Sequence, residues 1–105
     1  MTYKEKLAEK ANNQIVEISK ECIEFIKSEM ELSYAVREYT IYLTKVDTSQ
    51  DGVGNYGYMT LRIPRQFKPA AYCQKLVEEL KKLGFDDQDI KSEEHDSFYR
   101  IQINW

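Results

Sequence analysis

The side chains able to do chemistry are few and scattered. Cys22, Cys73 and His95 are the only cysteines and the only histidine in the chain. His95 stands among Glu93, Glu94 and Asp96. Zinc asks for several ligands at defined spacing, and calcium for alternating oxygen ligands around a central glycine. Neither pattern is present. Both cysteines fall on the apolar side of a helical pattern, whereas a reactive thiolate wants an electropositive, partly exposed setting. Cys73 has Arg65 and Lys68 a short way upstream, yet its stripe position points to burial. No Gly-x-Ser-x-Gly elbow occurs, and the carboxylates lie mostly on solvated faces, so spacing picks out no catalytic pair. The sequence therefore nominates no catalytic residue, no metal ligand and no cofactor site. A small enzyme is the third reading, behind two kinds of binding protein.

The stretch SQDGVGNYGYM, Ser49 to Met59, holds Gly52, Gly54 and Gly57. A phosphate-binding loop gathers backbone N–H groups at the start of a helix, usually with Lys-Ser/Thr just after. Here a strand pattern follows, and no lysine comes before Lys68. The residues are those that tolerate turns and positive φ. The stretch is expected to be a hairpin loop between two strands.

Charge is unevenly distributed. Gly52 to Val77 contains no acid and carries Arg62, Arg65, Lys68 and Lys75, whereas Glu78 to Ser97 is strongly acidic. Tyr56, Tyr58, Phe67 and Tyr72 interleave with the basic run. Basic residues among aromatics suit nucleic acid or an acidic protein surface. Alternatively, the two segments neutralise each other across the fold. Tyr56, Tyr58, Arg62, Arg65 and Lys68 are the candidate binding residues.

The elements that must position these groups read as follows. Apolar residues at helical spacing predict one long helix, roughly Tyr3 to Tyr34, with Leu7, Ala11, Ile15, Ile18, Cys22, Phe25 and Ile26 on one face and Leu32 and Val36 rejoining it. Val16, Ile23 and Met30 repeat every seven residues beside that face. They widen the apolar arc beyond the usual 100° or so and are the candidate interface of a homodimer; deep embedding in the protein's own core is the other reading. Alternation then predicts strands over Arg37–Val46 and Tyr56–Pro64. Pro69 opens a second helix, Gly84 ends it, and Cys73, Leu76, Val77, Leu80 and Leu83 form its stripe. Asp86 to Ser97 reads as a polar loop with a short edge strand around Ile90. FYRIQINW forms a last strand inside the sheet, with Trp105 buried against Leu76 and Leu80.

The fold class expected is α+β: one domain over residues 1–105, order α-β-β-α-β, with a small antiparallel sheet and two helices packed on one face. A chain of 105 residues supports one core and no more. The net charge of −3 argues against a generic polyanion binder. No apolar run suffices for a membrane span, and MTYKEKLAEKANN lacks the apolar region of a secretory signal. With two isolated cysteines, this reads as a reduced, cytoplasmic protein. The KKLGF helix end, the YRIQINW strand and the Lys/Glu/Ile-rich composition resemble small phage and prophage proteins of low-GC Gram-positive bacteria. That resemblance implies an accessory or host-interaction role, inhibition of a bacterial defence system included, and no site residue.

The expected function is macromolecular contact, with a protein the leading partner and no membrane. The alternative is a nucleic-acid-binding module using residues 52–77.

Overall fold

The computed structural model describes residues 1–45 and 52–105. Val46, assigned above to the first strand, and Ser49–Asp51 of the glycine stretch lie outside the described residues. Helix α1 spans Tyr3–Asn12, α2 Lys20–Leu32 and α3 Pro69–Lys82. Strands β1 (Glu38–Thr44), β2 (Gly52–Asn55), β3 (Tyr58–Arg62), β4 (Ile90–Glu94) and β5 (Phe98–Asn104) form one mixed sheet in the order β2-β3-β1-β5-β4. The α+β class holds, and α2 and α3 pack on one face of the sheet.

The single long first helix does not form. Asn12 and Asn13 favour helix ends over helix interiors, and Ser19 starts a new helix by accepting a hydrogen bond on Oγ from Cys22 N at 3.1 Å. The Val16, Ile23 and Met30 stripe is divided by this break. Val16 lies in the connection, Ile23 packs against the core, and Met30 is buried within it. α1 buries no residue of its own, and Leu7 and Ile15 are exposed. The Cα radius of gyration is 15.0 Å, above the about 13 Å of a compact chain of this length.

The sheet is not purely antiparallel, since β1 and β3 pair in parallel. The glycine stretch turns the chain, but between β2 and β3 rather than between β1 and β3. β2 runs two places from β1, and β3 folds back to fill the gap. Glycine suits β2 because α2 comes close: a Cβ on Gly54 would lie 2.3 Å from Glu29 Cδ. Gly57 makes the turn at φ 88°, its N–H donating to the Oγ of buried Ser33 at 2.9 Å. No atom crowds a Cβ there, so only backbone strain opposes a side chain. Gly57→Ala is expected to cost about 1–2 kcal/mol, read as a fall in urea midpoint with an unchanged slope.

The core forms between the helices and alternate strand residues: Tyr39, Ile41 and Leu43 of β1, Met59 and Leu61 of β3, and Tyr99, Ile101 and Ile103 of β5. They meet Ile26 and Met30 of α2 and Tyr72, Cys73, Leu76 and Leu80 of α3. Leu83 drops out of the α3 stripe, being 40% exposed. Gly84 does follow α3 in the left-handed region, at φ 112°. β5 lies inside the sheet, flanked by β1 and β4. Trp105, expected in the core, is only half-buried. Its ring sits 6.4 Å from Phe85, and its Nε1 donates to the Tyr34 carbonyl at 3.2 Å.

Candidate functional site

With α2 and α3 on one face, the other face of the sheet carries the second set of alternating side chains. Register builds it row by row. Thr60, Tyr42, Arg100 and Glu93 form a central row across β3, β1, β5 and β4. Arg62, Thr44 and Phe98 lie along one side of it. Tyr58, Thr40, Gln102 and Lys91 lie along the other. Tyr42 meets Tyr58 edge-on at 6.2 Å and Phe98 at 5.7 Å. Phe98 in turn stacks on His95 at 4.6 Å. A continuous line of rings therefore crosses three adjacent strands, with arginines on both sides.

Tyr58 and Arg62 fall on this face, as alternation predicts. Tyr58 is 45% exposed. Tyr56, also exposed, stands at the β2–β3 turn beside it. Arg65 and Lys68 do not join them. They lie in the connection to α3, where with Phe67 they border a groove against Lys10 and Gln14. Lys75 stands on α3 and pairs with Glu78 at 3.8 Å and Glu79 at 3.7 Å. The basic run is thus spread over several surfaces. Tyr42, Phe98 and Arg100 escaped sequence reasoning as site residues, although their outward alternation was visible. What was missing was that β1, β3 and β5 are neighbours.

The groups that could do chemistry are otherwise engaged. Burial pushes the Cys73 thiol up to about 11, with nearby Glu94 adding to the rise. Cys22 is also raised, chiefly by burial. Both stay protonated near neutral pH and are poor nucleophiles. His95 lies 3.4 Å from Glu93. Tyr99 donates to Glu94 at 2.7 Å, and Lys45 donates to the same carboxylate at 3.0 Å, holding it below its ordinary range. Among the described residues no group of His, Cys, Asp and Glu converges to hold a metal ion, and no helix is long and apolar enough to cross a membrane.

Fold and surface together define a small α+β domain with one open, aromatic sheet face. No family model, curated protein or solved structure matches the chain.

Proposed function

We propose that this protein works by binding, with the open sheet face as the contact surface and another protein as the partner. The observation that carries the reading is the ring line Tyr58–Tyr42–Phe98 flanked by Arg62 and Arg100. Tyrosine and arginine concentrate where protein interfaces draw their energy. Charges on this face are mixed, since Arg62, Arg100 and Lys91 share it with Glu38 and Glu93. A mixed face suits a protein; a phosphate backbone calls for a gathered positive field. Taken with the phage-like resemblance, the partner proposed is a protein of a bacterial host, such as a component of a defence system. A single-stranded nucleic acid is the second reading, supported by rings on adjacent strands, the arrangement on which bases stack.

The test is the pair Tyr58→Ala and Arg100→Ala, made together. Both side chains lie outside the core, so the melting temperature is expected to move by no more than about 4 °C. Affinity for a partner captured by the wild type and identified by mass spectrometry is expected to fall at least about tenfold. Unchanged affinity would remove the sheet face as the contact. Binding of a mixed single strand of about 12 nucleotides, weakening steeply with salt, would favour the second reading instead.

A further inference from the structure

β4 lies at the edge of the sheet, and no described strand pairs with its outer side. Which of its backbone groups face outward follows from the register with β5. Asn104 N donates to the Asp89 carbonyl and His95 N to the Phe98 carbonyl, each at 2.8 Å. In an antiparallel ladder hydrogen-bonded positions alternate. Asp89, Lys91, Glu93 and His95 therefore turn their backbone toward β5, while Ile90, Ser92 and Glu94 turn theirs outward.

Charged side chains on an edge strand usually serve to discourage pairing. Those of β4 are arranged differently. Lys91 and Glu93 flank Ser92 symmetrically, and both project on the open face, where they pair with Gln102 and Arg100 of β5. A second copy approaching antiparallel, with its Ser92 against this Ser92, sets Lys91 of each copy opposite Glu93 of the other. The same register aligns the outward backbone groups of Ile90, Ser92 and Glu94 for hydrogen bonding. Sliding the pairing by two residues either way, to the next registers that keep the outward backbone groups aligned, opposes Lys91 to Lys91 or Glu93 to Glu93, so charge specifies the register. Glu93's contacts within its own chain are long, 3.9 Å to Arg100 and 3.4 Å to His95, and its side chain is half-exposed. On the helix side, a groove of about 360 Å³ runs between β4 and α3 beside Ala70, Gln74 and Val77. Glu94, which would face Ile90 there, is already neutralised by Lys45.

The geometry points to a homodimer formed by antiparallel β4–β4 pairing about Ser92, with reciprocal Lys91–Glu93 ion pairs, which joins the two sheets into one. This edge adjoins the open face, where Glu93 lies beside Arg100, but the readout is self-association and not partner capture, so failure of this inference and failure of the proposed function are distinguishable.

Sedimentation equilibrium of the full chain is expected to give twice the 12.4 kDa chain mass. Lys91→Glu alone and Glu93→Lys alone each turn both reciprocal pairs into like-charge pairs. Each is expected to weaken self-association about tenfold or more, with circular dichroism unchanged. Mixing the two single variants restores opposite charges at every position, so a heterodimer is expected to form at concentrations where neither variant self-associates. Amide exchange at Ser92 and Glu94 is expected to slow in the dimer and to quicken in either variant. A wild type that stays monomeric at high concentration overturns the inference. So do single variants that dimerise like the wild type, or a mixture that stays monomeric.

Discussion

A chain cut after Gln102 is expected to be largely unfolded. The cut removes Ile103, which has no exposed surface, and whose loss as a buried aliphatic side chain costs about 2–5 kcal/mol. It also takes the Asn104 N–H from the Asp89 carbonyl and the Trp105 N–H from the Arg37 carbonyl. The Trp105 carbonyl that accepts from Arg37 Nε at 2.7 Å goes with them. Those bonds tie β5 to the start of β4 and of β1, so both neighbours lose support at one end. Against a total stability of roughly 5–15 kcal/mol, little is left. Trp105→Ala separates the strand from the ring. The indole is half-buried, so this variant is expected to lose only about 2 kcal/mol and to remain folded. Circular dichroism and urea titration of both forms check the pair. A truncated form that melts like the wild type would mean that the sheet does not depend on its β5 end.

Tyr39→Ala is expected to cost about 3–5 kcal/mol, the range for emptying a buried aromatic site. Tyr39 has no exposed surface and does two jobs. Its ring fills the core under α2. Its hydroxyl donates to the carbonyls of Asn55 at 3.1 Å and Tyr58 at 2.9 Å, on either side of the Gly57 turn. Tyr39→Phe keeps the ring and drops those bonds, for an expected loss of about 1–2 kcal/mol. The same hydroxyl sets a pH dependence. Burial, and then the charge of Glu29, push it up from 10.0 to about 12. A pKa raised on folding gives stability that is complete below the unfolded value and is lost as pH rises through the folded one. Tyr72, raised to about 12, and Cys73, raised to about 11, act in the same direction. Urea midpoints are therefore expected to hold to about pH 9 and to fall between about pH 10 and 12, with a shallower fall in Tyr39→Phe. A midpoint that rises over that range would contradict the burial of these groups.

Several features of the candidate face depend on elements that the sequence describes well. Tyr58 and Arg62 were placed outward by alternation, and the register agrees. Arg65 and Lys68 are near them in sequence only. The chain leaves the sheet after Ile63, so nearness along the chain did not become nearness in space. Tyr42 and Phe98 show the converse. They lie far apart in sequence and come together only because β1 is flanked by β3 on one side and β5 on the other.

The features legible in the sequence are those that depend on neighbouring residues. The period-two runs set β1, β3 and β5 and the faces of their side chains, because adjacent residues of a strand must point to opposite sides. Pro69 and Gly84 set the ends of α3, because each fits the backbone geometry required there. The break between α1 and α2 was also written locally, in Asn12, Asn13 and Ser19, but the apolar periodicity running through it masked the signal. That Gly52–Asn55 forms a strand follows from long-range contacts. Glycine has little strand preference of its own, and the close approach of α2, with the pairing offered by β3, made the place for it. The parallel pairing of β1 with β3, and with it the ring line across the open face, was likewise a tertiary decision. Strand order is settled by which arrangement lets α2 and α3 cover one apolar face completely, and that is a property of the whole chain.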